Sequence, residues 1–407
     1  MIRRTLVFSF LFLCLGTFPL AAQDTLTRSA GKPWLNVWGM VNLDIIHDLD
    51  QMDPQWIGGF RPSKIPVHPG DPGWGSSHNT WFSLRQSTFK FEGVMPVQHR
   101  LGPIRLRFEF DLFGMGVNAG ETTFRLRLAY GQWGPFLVGK DWSTFIDLES
   151  FPNHFDFWGP SGMALLASVM VRYSRTVGEA NRLEAALELP GSEIDPGQLR
   201  QIDPAFLNIQ SKEQVPDLIL RYTRKGAWGH VRVAGMARML SYDVISQQAG
   251  KSVDHALFGW AFNVTSNLYL FDRQGWFNLQ TVFGHGYAGY NNDGGVEITP
   301  TAGFRATVPF QYGMVAFYNH NFSRHWSVSA GYSETSQHNT PGQLDNAFHR
   351  SQYILAQTIW NILDNKAVQA GLCGMYGKKY EKDGSSARDR RIMFTVRFQM
   401  DHIHKPR

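Results

Sequence analysis

Between residues 34 and 398, short segments recur in which every second residue is apolar, a period that extended strands produce and helices do not. Ile104, Leu106, Phe108, Phe110 and Leu112 share one face of such a segment; Arg105, Arg107, Glu109 and Asp111 share the other. Phe124, Leu126, Leu128 and Tyr130 stand against Arg125, Arg127, Ala129 and Gly131, and Val169, Val171 and Tyr173 against Met170, Arg172 and Ser174. The design returns where Leu218, Leu220 and Tyr222 oppose Ile219, Arg221 and Thr223, and where Ile392, Phe394, Val396 and Phe398 oppose Met393, Thr395 and Arg397. Each segment has one apolar face and one polar face.

A soluble sandwich and a membrane barrel share this period, so the number and spacing of the segments must decide. The pattern predicts sixteen strands, near 34–47, 79–92, 103–113, 122–132, 135–141, 166–177, 182–189, 216–225, 228–242, 255–266, 275–287, 304–321, 325–336, 350–361, 366–378 and 389–398. Short turns such as Gly178–Asn181, Lys225–Ala227 and Asp272–Gln274 alternate with long connections at 48–78, 142–165, 190–215, 243–254, 288–303, 337–349 and 379–388. Short turns at one end and long loops at the other are the plan of an outer-membrane barrel, and a sandwich has no reason to keep that asymmetry. The expected fold is all-β: a transmembrane antiparallel barrel of 16 strands over residues 34–398. Both ends then lie at the periplasm, with Phe398 closing the last strand and 399–407 left as a tail.

Arg3 and Arg4, the apolar run Leu6–Leu15 and the sequence Pro19-Leu20-Ala21-Ala22 read as a secretory signal over 1–22, with 23–33 a short segment before the wall. The run is too short for a membrane helix, and Leu13 before Cys14 is too bulky for a lipoprotein site. Cys373 would be the single cysteine left, which excludes a disulfide-stapled exported domain. Mean hydropathy is −0.25 and 14% of residues are aromatic, as expected where lipid-facing and water-facing residues alternate between aromatic girdles. A formal charge of +5 gives no sign of nucleic-acid binding, and no cofactor is implied.

The segment after the fifth strand breaks the alternation. Trp142, Phe145, Asp147, Glu149, His154 and Asp156 lie in a stretch rich in aromatic and acidic residues that continues through Phe157, Trp158 and Pro160. So apolar a loop is costly in water, and it is expected to fold into the lumen as a constriction. The period places Arg105, Arg107, Arg125, Arg127, Arg172, Arg221, Arg232, Arg305 and Arg397 on the lumen face, with Arg85 in an ambiguous register. Guanidinium groups keep their charge and hold carboxylates with two hydrogen bonds, so the set implies attraction of small anionic solutes. Asp147, Glu149 and Asp156 are expected to face the arginines across the opening.

Several stretches resemble the DcaP-like porins. Tyr353–Phe398 contains Gln357-Thr358-Ile359-Trp360, Gly374-Met375-Tyr376-Gly377-Lys378-Lys379, Lys382-Asp383-Gly384-Ser385-Ser386 and Arg391-Ile392-Met393-Phe394. A second stretch runs Phe108-Glu109-Phe110-Asp111-Leu112-Phe113-Gly114, Arg125-Leu126-Arg127-Leu128-Ala129-Tyr130-Gly131 and Gly139-Lys140-Asp141-Trp142-Ser143-Thr144-Phe145. A third is Gly39–Asp48 with Ser63-Lys64-Ile65-Pro66; about 190–300 carries no such match. The resemblance implies a sixteen-stranded homotrimer in a Gram-negative outer membrane that takes up small anions such as carboxylates. It also implies a basic eyelet at Arg105, Arg125 and Arg127 and a constriction from Trp142. Family members often carry a helical coiled-coil extension before the barrel. Only about ten residues separate Ala22 from Trp34 here, without heptads, so trimerisation would rest on the wall alone.

Two other classes compete. An outer-membrane lipid hydrolase or acyltransferase needs a nucleophile beside a base, for which His320, Ser323 and His325 are the one local group, at an expected turn. An exported soluble carbohydrate-binding β protein shares the period but not the loop asymmetry. His402 and His404 are the nearest approach to a metal site, and no enzyme activity is expected.

Overall fold

The computed structural model describes residues 31–404 apart from 190, 199–208, 213, 246–251 and 303–304. Residues 1–30, and with them the signal at 1–22, lie outside the described set. Sixteen wall strands are present among the described residues: β1 (Trp34–Asp48), β2 (Asn79–Ser83 and Thr88–Met95, interrupted at 84–87), β3 (Ile104–Phe113), β4 (Thr122–Trp133), β5 (Phe136–Trp142), β6 (Ala167–Val177), β7 (Asn181–Glu188) and β8 (Asp217–Gly226). They continue with β9 (Gly229–Ile245), β10 (Ser252–Leu270), β11 (Gly275–His285), β12 (Phe310–Asn321), β13 (Trp326–Gln337), β14 (Phe348–Asn361), β15 (Val368–Glu381) and β16 (Ser386–His404). Each pairs antiparallel with the next, and β16 pairs with β1 from Leu35↔His404 to Asp48↔Arg391, so the sheet closes and no edge remains.

The outward faces carry Phe82, Phe124, Val138 and Leu220, at 68%, 72%, 57% and 57% exposure. A continuous apolar belt of this kind is untenable against water and natural against lipid. Trp326 and Trp360, opposite each other on β13 and β14, stack at 5.7 Å near the short-turn end, where interfacial aromatics belong.

The structure departs from the period in three places. In β4 the pairing slips between Glu109↔Leu128 and Phe110↔Leu126. This bulge at Arg127 reverses the facing of everything after it. Leu128 and Tyr130, expected beside Phe124 and Leu126 on the lipid face, point inward opposite Glu109 and Arg107, and Leu128 is 1% exposed. β12 starts at Phe310, not near 304, so Arg305 sits in the preceding loop beside a short hairpin (Thr299–Pro300 with Ala306–Thr307) and is not a wall residue. The last strand runs past Phe398 to His404 because β1 offers it partners to Leu35; what was expected as a free tail is wall as far as His404.

Candidate functional site: the lumen and its loop

The loop 143–166 lies inside the barrel, held by inward-facing side chains of successive strands. Glu188 of β7 accepts from Thr144 N at 2.7 Å, and Asn263 of β10 donates to Phe145 O at 2.8 Å. Farther along, Asn319 of β12 accepts from Asn153 N at 3.0 Å, Gln357 of β14 bridges Phe155 N and Asn153 O, and Ser333 of β13 accepts from Gly162 N at 2.7 Å. Phe145, Ile146 and Phe155 are buried, which is why so apolar a segment tolerates the lumen. The wall leaves room for it with glycine: a Cβ on Gly371 would stand 2.3 Å from Phe155 Cε2, and one on Gly313 would stand 2.4 Å from Gly162 O.

Asp147 is the main fastening. Its carboxylate meets His230 Nε2 at 2.7 Å, Arg232 Nη1 at 2.6 Å and Thr265 Oγ1 at 2.5 Å, all from β9 and β10. Burial alone would raise its pKa; the His230 hydrogen bond and the Arg232 and His230 charges outweigh it and hold the acid well below the ordinary range. Glu149 accepts from Lys225 Nζ at 2.7 Å and Arg232 Nη2 at 3.2 Å. Asp156 is buried and accepts from Phe60 N, Gly159 N and Tyr353 Oη. None of the three loop acids forms an ion pair with Arg105, Arg107, Arg125 or Arg127: each is satisfied elsewhere. Asp147 and Glu149 meet Arg232, another of the arginines expected in the lumen, and the expected facing of loop acids and arginines is corrected only for those of β3 and β4.

What meets the arginines is aromatic. The guanidinium of Arg125 lies 5.7 Å from the Phe113 ring and 5.8 Å from Phe157; that of Arg127 lies 5.1 Å from Trp142 and 5.4 Å from Phe157. Arg125 also holds Asp111 with two hydrogen bonds of 3.0 and 2.6 Å, and Arg127 sits 3.4 Å from both Glu109 and Asp111. Arg107 reaches Glu109 at 2.8 Å. Arg105 forms no ion pair among the described residues. Lys90, absent from the expected set, joins the same face of β2, 3.6 Å from Glu109 and 4.1 Å from the Trp38 ring centre. Its signal in the sequence was there: it alternates with Phe89 and Phe91. A cavity of about 150 Å³ opens here between Asn36, Trp38, Lys90, Glu92 and Arg107.

The other expected arginines hold the wall. Arg172 pairs with Asp141 at 2.6 Å. Arg221 pairs with Glu184 and donates to Thr144 O and Ile146 O at the root of the loop. Arg397 donates to Asn42 at 3.0 Å beneath the Phe155 ring. Arg85 falls in the break of β2, buried, donating to Gln55 O and Gly114 O. The buried Arg238, linked to Asp217 and Glu297, and His230 were not anticipated; their partners are distant in sequence.

His320, Ser323 and His325 do not assemble into a reactive group. Ser323 Oγ accepts from the amides of His325 and Trp326, while His320 Nδ1 bonds Tyr318 Oη on the outward face of β12. The side chains of His402 and His404 lie outside the described set.

His154 gives the loop a sensitivity to acid. It is buried between Phe151 and Phe317, neither ring nitrogen has a hydrogen-bond partner, and burial pushes its pKa down to about 3. The folded form thus binds a proton less readily than the unfolded one, for which about 6.5 is normal. Its contribution to stability is whole above about pH 6.5 and falls away as pH drops toward 3. Acidification from pH 7 to 4 is expected to lower the thermal unfolding midpoint and increase current noise, and His154→Phe to remove most of both effects. An unchanged pH response in that variant would place the acid sensitivity elsewhere.

Residues 64–254 match the DcaP outer membrane protein family, including 190–254, where the sequence motifs were silent. Among solved structures, the outer membrane channel DcaP of Acinetobacter baumannii superposes with a TM-score of 0.72 at 16% identity, covering 92% of this chain and 99% of that one. OmpT of Vibrio cholerae in its trimer form gives 0.55 at 12% identity, covering 91% and 100%. Salmonella typhi OmpF in complex with daunomycin gives 0.53 at 9% identity, covering 90% and 97%. A search of curated proteins finds no match. At such identities the superpositions speak for the fold.

Proposed function

From its match to the DcaP outer membrane protein family over residues 64–254 and its porin-type barrel of the Gram-negative outer membrane, we infer that this chain passes small hydrophilic solutes by diffusion and prefers anions such as carboxylates. One observation carries the preference. Along the inner face of β2–β4, the five cations Lys90, Arg105, Arg107, Arg125 and Arg127 meet three carboxylates, Glu92, Glu109 and Asp111. Phe157 of the loop and Trp142 at the end of β5, rather than further acid, stand against them. Around the loop's other flank Asp141, Glu184, Asp147 and Glu149 are matched by Arg172, Arg221, Arg232 and Lys225, so that wall adds little net field. Fixed charge at a narrow point sets the sign of the ions that cross it.

The long loops then face the outside and the short turns the periplasm. The working unit is a homotrimer assembled through the wall, a reading to which the trimer form of OmpT lends support. A planar bilayer tests the whole. In a salt gradient the reversal potential is expected to have the sign of anion current, and small dicarboxylates to block in a concentration-dependent way. Cation preference would overturn the ladder reading and leave the barrel standing.

A further inference from the structure

We propose that the outward face of β13–β16, near the end of the barrel that carries most of the long loops, binds the phosphorylated headgroup of an outer-leaflet glycolipid; the assignment of that end to the outside rests on the orientation given above. The registers place four cations together on this face. Lys378 of β15 and Arg388 of β16 are direct cross-strand partners, Arg350 of β14 lies opposite Tyr380, and Arg390 lies opposite Tyr376. Like charges set opposite one another on a sheet repel. Yet neither Lys378 nor Arg388 has an ion-pair partner among the described residues, and Arg350 Nε is buried without a hydrogen-bond partner.

The acids nearby do not cancel them. Glu334 of β13 already accepts from Tyr312 Oη, Tyr332 Oη and Gln352 Nε2, and stands 3.9 Å from Arg350. Asp50 is taken up by Arg390 in a two-bond pair. Arg350 and Lys378 lie against the same ring, 4.2 and 4.5 Å from the centre of Tyr380, which holds both side chains along the wall. The face is thus an array of donors short of anions.

Its height selects the partner. Two to three outward positions farther down the same strands, past Gln352 and Tyr376, stand Ile354, Leu372, Ile392 and Phe394, each more than two-fifths exposed. Cations above an apolar wall match a molecule with phosphates at the water boundary and acyl chains below it. A free anion would use the first part and leave the second idle.

Delipidated full-length protein is mixed in detergent with bis-phosphorylated lipid A, the same lipid A without phosphates, phosphatidylethanolamine or inorganic phosphate, and binding is read by native mass spectrometry. Phosphorylated lipid A is expected to be retained, and the dephosphorylated form lost. The triple variant Arg350→Gln, Lys378→Gln, Arg388→Gln is expected to bind it roughly a hundredfold more weakly, about fivefold per cation removed. Conductance and selectivity should not change, because these side chains point away from the lumen. The pair Lys378→Arg, Arg388→Lys, with charge kept, should retain binding, and mobility on an unheated gel verifies that each barrel has folded. Equal retention of dephosphorylated lipid, tight binding of phosphate alone, or full binding by the triple variant would each overturn the proposal. A failure here leaves the bilayer result untouched, and the reverse.

Discussion

Replacing Arg125 and Arg127 together with alanine is expected to bring the anion-to-cation permeability ratio close to one. The two guanidiniums are the excess over Glu92, Glu109 and Asp111 on the inner face of β2–β4; without them Lys90, Arg105 and Arg107 only balance the acids. A unit charge ~8 Å from a passing ion shifts its free energy by about 0.5 kcal/mol in a water-filled lumen. Two such charges, acting with opposite sign on anion and cation, amount to about 2 kcal/mol before salt screening, so a fall of roughly tenfold in the ratio is expected. Reversal potential at two salt concentrations measures it, and the difference should shrink as salt rises. The wall should survive, since the bulge at Arg127 is a backbone feature and Arg125 is partly exposed to the lumen. The converse variant Glu109→Gln, Asp111→Asn should raise anion preference. An unchanged ratio in the double alanine variant would move the selective point away from β4.

Asp147→Ala is expected to have the second largest effect, on the size of the channel rather than its sign. It leaves His230, Arg232 and Thr265 without the carboxylate on which they converge. Removing one partner of a buried charged cluster costs roughly 3–5 kcal/mol. The lower end applies here, because Arg232 keeps Glu149 at 3.2 Å and a partly wet flank. The root of the loop then comes away from β9 and β10 while Gln357 and Ser333 still hold its far half. Single-channel conductance should rise, with flicker, and the thermal midpoint should drop. In the native protein the lowered pKa of Asp147 works the other way. The stabilisation it gives is present above the ordinary carboxylate pKa and is lost only as pH falls through the much lower folded value. Native conductance and midpoint matched by the variant would mean that the loop is held by its apolar packing alone.

The wall was legible because period two survives in a chain that sees lipid on one side and water on the other. The strands after β4 and at the C-terminus show its limit. Between Phe124 and Gly131 the letters alternate without a fault, yet the bulge inverts the second half. Ala129 and Gly131 suit either face, so nothing local reports the inversion. The strand end at Phe398 was misjudged for a different reason: pairing with β1, more than 350 residues away, decides where β16 stops. The loop's place in the lumen followed from its apolar content, which has nowhere else to go. Its partners did not follow. Asp147 reads as a pore acid until His230 and Arg232, 83 and 85 residues later, are seen to enclose it.

The closing contact of β1 with β16 bears on how the barrel assembles. It joins parts of the chain separated by almost its whole length, so closure must come late and the two end strands must wait with free backbone groups. Their inward faces differ in charge: among the described side chains, that of β1 bears only acids as charged groups, that of β16 two arginines beside one acid, Asp389. β1 carries Asn42, Asp44 and Asp48; β16 offers Arg397, Thr395 and Arg391 at the matching positions, with Arg391 Nε to Asp48 at 2.5 Å and Thr395 Oγ1 to Asp44 at 2.7 Å. While they wait, these residues keep both edges hydrated and ill suited to stacking. If two unfinished sheets met β1 to β1, carboxylate would face carboxylate; β16 to β16, guanidinium would face guanidinium. Only an edge of the other kind neutralises either one, so the charges that fasten the finished cylinder also steer its newly made ends toward each other and away from neighbouring copies.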